Sequence, residues 1–288
     1  HSGAISATTS TADAVQQSDA VVVVVPVAID GSGIPDFQYM DRAVEAIGGA
    51  LRSGTVVMFE TTVPVGTTRN RFAPTLEAAS GLREGLDFFV VYSPERVLTG
   101  RVFADLRRYP KLVGSLSAAG ASRGVDFYEA VLDFDPRPDL ERMNGVWDLG
   151  SAEAAELAKL AETTYRDVNI ALANTFAVYA EGAGIDIGLV IDACNSQPYS
   201  HLHRPGVAVG GHCIPVYPHL YLSNDPSAIL VRTAREVNSA MPAHVVDRLS
   251  QALSGLRGQT VVILGAAYRG GVKETAFSGV FPLVEAVS

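Results

Sequence analysis

A cysteine closes a glycine-rich loop in the run Arg204-Pro205-Gly206-Val207-Ala208-Val209-Gly210-Gly211-His212-Cys213-Ile214-Pro215. Glycines at 206, 210 and 211 let main-chain N–H groups approach a ligand closely. Cys213 after such a loop reads as a nucleophile if its thiolate is stabilised. It reads equally as a small packing residue after a flexible turn. Cys194 lies in the apolar pattern Val190-Ile191-Asp192-Ala193 and reads as core. His201, His203, His212 and His219 surround the same loop, and imidazoles ligate metals. Their spacing matches no common ligand pattern, so no metal is expected. Tyr217, Tyr221 and His219 read as packing.

The chain around these residues has 288 residues, enough for about two domains. Lys+Arg 22 against Asp+Glu 31 gives a net charge of −9. A general binder of nucleic-acid backbone carries the opposite sign. Hydrophobic residues at 48% and charged residues at 18% exclude a disordered chain. The longest pure apolar run, Ala20–Val25, is far short of the roughly 20 residues of a membrane span. The opening residues have neither the basic nor the apolar region of a signal peptide. Two cysteines make no disulfide framework, so a reducing, cytoplasmic compartment is expected.

The elements that must carry the loop follow from periodicity. Val21–Val25 is a β-branched run of the kind buried in a parallel sheet. Helical spacing over Phe37–Leu51 leads to strand Thr55–Phe59, then to a helix over Thr67–Ala79. Phe88–Val91 and Lys111–Gly114 are further strands. This alternation predicts βαβ units, a parallel sheet and helices on both faces. From Ser151 to about Ala183 there is no proline and no glycine before Gly182, which predicts one long helix. Its apolar residues cover more than one face, so several neighbours must bury it, a second subunit among them. A shorter helix follows over Ile185–Cys194, then the loop Gln197–Pro218. Ala228–Met241 and Pro242–Leu253 read as two helices, and Thr260–Gly265 as a new strand. The expected domains are 1–150, 151–241 and 242–288.

Several segments together resemble the nucleotide-sugar 6-dehydrogenases, the family of the UDP-glucose, GDP-mannose and UDP-N-acetylmannosamine dehydrogenases. Gly206–Leu222 resembles their active-site segment, and Phe59–Thr68 (FETTVPVGTT) their "STVPxGTT" turn. Ser93-Pro94-Glu95-Arg96-Val97 resembles the "PER" segment, and Glu153–Asn174 the long central helix. Val262–Ser278 resembles the start of the family's C-terminal domain. The motifs stand in family order over nearly the whole chain. RDVNIALAN and GGHCIPV are most similar to the bacterial UDP-N-acetylhexosamine branch.

The resemblance implies an α/β fold: a Rossmann-like parallel sheet incomplete at its N-terminus, a long central helix with a helical domain, and the start of a second Rossmann-like domain. No Gly-rich turn precedes Val21. The resemblance leads us to expect the family's first βαβ unit ahead of this sequence and most of its C-terminal domain beyond Ser288; the alternative is a degenerate form that does not bind NAD. The implied reaction turns a sugar CH₂OH into a carboxylate with two NAD⁺ consumed, in polysaccharide biosynthesis, by a homodimer. Cys213 would form the thiohemiacetal and thioester, and Lys159 would stabilise the oxyanion. Thr62 and Glu95 would position alcohol and water. Val25, Pro26, Thr62 and Glu95 would meet the cofactor NAD. Arg204, Gly206, Gly210, Gly211 and Lys159 would hold the nucleotide sugar. Neither nucleic acid nor membrane is an expected partner. The sequence departs from the family at Tyr217, where an Asp is usual, at Thr163 for Asn, at Ala276 for Arg and at Gly279 for Pro. These departures keep two alternatives open: a homologue that binds a nucleotide sugar without oxidising it, and an enzyme that stops after a single oxidation.

Overall fold

The computed structural model describes residues 5–98 and 100–288. The chain divides into two compact units, His1–Leu160 and Ala161–Ser288.

In the first unit, helix α1 (Thr11–Gln16) is capped by the Ser10 hydroxyl and leads into strand β1 (Ala20–Val23). A small hairpin of β2 (Ala28–Ile29) and β3 (Pro35–Asp36) precedes helix α2 (Gln38–Gly48). Strand β4 (Val56–Phe59) follows, then a π-helical turn (Thr68–Phe72) running into helix α3 (Ala73–Ser80). The remainder is β5 (Phe89–Tyr92), α4 (Val102–Arg108), β6 (Lys111–Ser115), α5 (Ala118–Val131) and β7 (Val146–Asp148).

The main sheet has the order β1-β4-β5-β6-β7. β4 pairs parallel with β1 (Val21 with Val57) and with β5 (Met58 with Val91). Alternate residues of each strand face opposite sides. Val57 and Phe59 pack with Met40, Val44, Phe72 and Leu76 from α2, α3 and the π-turn. Val56 and Met58 pack with Val91, Val113 and Tyr128, the last from α5. Helices thus cover both faces, and the all-apolar strands have their reason.

One pairing departs from the parallel expectation. β6 runs antiparallel to β5, and β7 then runs parallel to β6. A parallel return needs a crossover that packs back across a face. The seven-residue α4 supplies none, so the chain turns back on itself.

Helix α6 (Ala152–Ala183) belongs to the first unit up to Leu160 and to the second thereafter. The second unit adds α7 (Ile187–Asn195), α8 (Tyr217–Asn224), α9 (Ile229–Leu253) and α10 (Val280–Val287). Two expectations fail here. The helices foreseen on either side of Pro242 are a single helix, α9. Proline removes one intrahelical bond, but Met241 and Pro242 are buried. One turn earlier Asn238 is anchored to the main-chain oxygen and carboxylate of Asp167 at 3.0 and 2.8 Å. Tertiary bonds carry the helix through the break. Residues 260–265 do not form the foreseen strand. Val262 and Leu264 are exposed, and a strand needs a neighbour to bond with. The described residues give it none.

Candidate functional site

Val25, Pro26, Thr62 and Glu95 follow the carboxyl ends of β1, β4 and β5, where open α/β sheets bind their ligands, and Lys159 lies on α6. Past β4 the chain continues the ladder: Glu60 N–H donates to Val23 O at 3.0 Å, and the Thr61 hydroxyl donates to Val25 O at 2.7 Å. Thr62, Val63 and Pro64 are buried beneath the turn. The next loop is tied to the same place. Glu95 N–H donates to Glu60 O at 3.0 Å, so Thr62 and Glu95 stand on adjoining loops. The Glu95 carboxylate accepts from the N–H groups of Arg96 and Val97, at 2.5 and 2.6 Å, and braces its own turn. Below these loops Glu60 accepts from Lys111 Nζ at 2.8 Å and from the Tyr128 hydroxyl at 2.7 Å. Burial, and then the Glu60 charge, push the Tyr128 phenol up from its ordinary value.

The turn after Thr62 is fastened by a residue that the sequence reading passed over. Gly66 has φ +85°, and its N–H donates to Glu156 Oε2 at 2.5 Å. The Thr68 N–H and hydroxyl donate to Glu156 Oε1 at 2.9 and 2.7 Å. Glu156 lies one helical turn before Lys159 on α6, and both side chains are buried. Its signal was available: Ala152, Ala155, Glu156, Lys159 and Leu160 form one buried stripe, and a carboxylate in that stripe requires partners.

Burial pushes the Glu156 carboxyl up to about 7 from 4.5, against the pull of the Thr68 and Gly66 bonds. The native state then holds this proton more tightly than the unfolded chain. The resulting stability is complete below pH 4.5 and is lost as pH rises toward about 7. Charged neighbours are Glu153, on the same helix, and Arg69, on the facing turn, which pair at 2.5 Å. Urea midpoints from pH 4.5 to 7 should fall less steeply in Glu156→Gln than in the wild type. Identical slopes in the two proteins would rule this assignment out.

In the second unit the segment before the glycine loop is held by asparagines. Asn169 accepts from His203 N–H at 2.9 Å and donates to His201 O at 3.0 Å. Asn195 accepts from Leu202 N–H at 2.8 Å and donates to Leu202 O at 2.9 Å. Asn174 accepts from Gly206 N–H at 2.9 Å. Behind Asn174, a buried chain of groups runs through Asn238 to Asp167, with Arg235 3.1 Å from Asp167. Burial pushes Asp167 up and Arg235 down, and the partner's charge opposes each shift.

The loop itself is covered by the segment near residue 270. A Cβ on Gly210 would stand 2.6 Å from Tyr268 Cβ and 2.8 Å from Phe277 O. Gly211 has φ +91°, and its N–H donates to Ala276 O at 2.8 Å. Cys213 is an exposed free thiol. Its carbonyl accepts from Tyr217 N–H at 2.9 Å, which places Tyr217 one turn away at the start of α8. The Arg204 guanidinium is engaged by the Asp192 carboxylate and by Gly188 O. His212 Nε2 is 3.5 Å from Glu274 Oε2. Burial pushes His203 and His219 down, with Arg166 and Arg235 adding to the effect. Among the described residues no group of three His, Cys, Asp or Glu is placed to hold a metal ion.

A mostly parallel sheet with open loops at its strand ends is followed along the chain by a long helix and a glycine-framed thiol. Residues 1–132 match the NAD binding domain of the UDP-glucose/GDP-mannose dehydrogenase family, and residues 153–240 match its central domain. The chain belongs to this family.

It is 36% identical over 275 residues to the UDP-N-acetyl-D-mannosamine dehydrogenase of Pyrococcus horikoshii, covering 94% of this chain and 63% of that protein. It is 32% identical to the NDP-N-acetyl-D-galactosaminuronic acid dehydrogenase of Ralstonia solanacearum, again over 94% of this chain and 63% of the relative. The solved structure of the Pyrococcus horikoshii UDP-D-ManNAc dehydrogenase superimposes with a TM-score of 0.87 at 34% identity, covering 96% of this chain and 64% of that one. The chain thus spans less than two thirds of the length of these relatives.

The family domain implies NAD, and the described residues fit it in part. Val24 and Pro26 are exposed and Val25 half-buried, so the end of β1 offers an open apolar ledge beside the Thr61–Thr62 turn. That ledge suits a flat ring. No Gly-rich turn for the pyrophosphate stands ahead of β1 in this sequence.

Proposed function

We propose that the full-length protein oxidises a nucleotide sugar, a UDP-hexose or UDP-N-acetylhexosamine, at C6 to the acid. The observation that carries this reading is Cys213: an exposed thiol on a glycine loop whose approach is held by three asparagines. NAD⁺ held at the β1 ledge would supply the hydride acceptor, one NAD⁺ being consumed in each of the two oxidations. Val25 and Pro26 would contact it, with Thr62 and Glu95 at the loop edge. The loop of Gly206, Gly210 and Gly211 would lie against the nucleotide sugar, with the Gly206 and Gly211 N–H groups, engaged by Asn174 and Ala276 O, fixing its shape. Arg204 would meet its phosphates after exchanging Asp192 for them. The Cys213 thiolate adds to the C6 aldehyde and forms the C–S bond of a thiohemiacetal. Lys159 offers its positive charge to the resulting oxyanion. Loss of a second hydride from C6, to a second NAD⁺, and of the hydroxyl proton would turn the thiohemiacetal into a thioester, which water would cleave to release the acid and restore the thiol.

Assembly as a homodimer, work in the cytoplasm and a place in polysaccharide biosynthesis accompany this reading. Tyr165, Leu172, Phe176 and Tyr179 form an exposed apolar stripe along α6, which supports the dimer. Among the described residues no helix is long and apolar enough to cross a membrane.

NADH formation by the full-length protein with UDP-N-acetyl-D-mannosamine and a panel of UDP- and GDP-sugars tests the function. Turnover with a UDP-sugar is the expected result, and silence across the panel would overturn it. One observation favours a second reading. Tyr217, one turn from Cys213, is a neutral phenol where the family uses a carboxylate. An enzyme that oxidises once and stops at the aldehyde would be distinguished by mass spectrometry of the product.

A further inference from the structure

Glu156 has no part in the chemistry proposed above, yet it is among the most completely buried ionisable side chains in the chain. A buried carboxylate is costly unless donors surround it. Its donors come from a single turn: Gly66 N–H on Oε2, and Thr68 N–H and hydroxyl on Oε1. Both oxygens accept, Oε1 from two donors. An amide would present its NH₂ to one of the donors. Arg69, on the same turn, is taken up by Glu153 instead.

The two elements joined in this way carry proposed reaction groups. Gly66 follows Thr62 through buried Val63 and Pro64. Residues three apart on a helix share a face, so Glu156 and Lys159 point the same way from α6. A bond from the first fixes the placement of the second against the turn.

We propose that Glu156 is a positioning residue: by gripping Gly66 and Thr68 it sets the Lys159 ammonium against the Thr62 turn. This rests on the reading that gives Lys159 and Thr62 to the reaction. Glu156 touches neither substrate nor cofactor in this role. It acts through the helix register and through the shape of the turn.

The test uses the full-length protein and two variants, Glu156→Gln and Thr68→Val. Thr68→Val removes one donor and leaves the carboxylate in place, so it decides the question if Glu156→Gln does not fold. The first readout is independent of activity: acylation of Lys159 by an N-hydroxysuccinimide acetate ester, followed by peptide mass spectrometry. Lys159 should react about tenfold faster in Glu156→Gln, the effect of one orphaned buried donor, and more modestly faster in Thr68→Val. The second readout is kinetic. In Glu156→Gln, kcat should fall by up to roughly a hundredfold, the effect of a misplaced group, while KM for NAD stays within about twofold.

Unchanged Lys159 acylation in the folded variants would overturn the proposal, whatever the activity. A loss of thermal stability with kcat of the folded enzyme intact would also overturn it, leaving Glu156 a structural residue. If the wild type makes no NADH but Lys159 acylation still rises in the variants, the catalytic reading fails and the positioning stands.

Discussion

Cys213→Ser in the full-length protein should lower acid formation by at least roughly a thousandfold while leaving the fold intact. The side chain is exposed, and serine keeps its size, so stability should stay within about 0.5 kcal/mol of the wild type. The loop is fastened through its main chain, by Asn174 to Gly206 and by Ala276 to Gly211, and none of these bonds involves the thiol. What changes is the nucleophile. A hydroxyl is far more basic than a thiol and carries little anion at neutral pH. It cannot form the C–S adduct that makes the second oxidation accessible. The first oxidation does not need that adduct. The variant should therefore release one NADH per sugar rather than two, with an aldehyde that a hydrazide traps. Acid formation by the serine variant at the wild-type rate would remove Cys213 from the mechanism.

Lys159→Met should lower kcat by roughly 10²- to 10³-fold, the usual effect of losing one preorganised charge at a developing oxyanion. The side chain is only 6% exposed, so water offers little compensation when it is removed. Methionine fills most of the volume and keeps the helix. KM for the nucleotide sugar should move little, because the charge matters most once the oxyanion exists. Lys159→Arg should recover only a small part of the rate, since a planar fork does not occupy the place of a compact ammonium. A folded methionine variant with wild-type kcat would reduce Lys159 to a buried structural lysine.

Much of the first unit was legible because its strands are continuous β-branched runs and its helices carry clear apolar periods. Helix α5 was not. Its sequence AAGASRGVDFYEAV reads as glycine-weakened, yet two glycines there allow close packing. A Cβ on Gly120 would stand 2.3 Å from Ser115 Oγ, and one on Gly124 would stand 2.9 Å from Val91 Cγ1. Glycine here serves helix-on-sheet contact, and only the sheet reveals it. The antiparallel β6 was hidden for a related reason: strand direction depends on where the intervening chain packs.

The site residues divide in the same way. Residue type alone pointed to Cys213 and its glycines. The partners of Arg204 and Glu95 lie in Asp192 and in the Arg96–Val97 backbone, and no spacing rule gives those. The asparagine braces were equally out of reach. Asn169, Asn174 and Asn195 are ordinary helix residues until the main chain they hold comes beside them.

The cover over the glycine loop limits how this protein can change. With Tyr268 and Phe277 O lying where side chains at 210 and 211 would begin, neither position can gain a contact of its own without first rebuilding the segment above it. If the loop holds a nucleotide sugar as proposed, selection for a different sugar has little to work with there, and variation in recognition falls to Val207 and Val209 or to the 268–277 segment itself. A library aimed at new substrates would therefore leave the two glycines alone and diversify their neighbours.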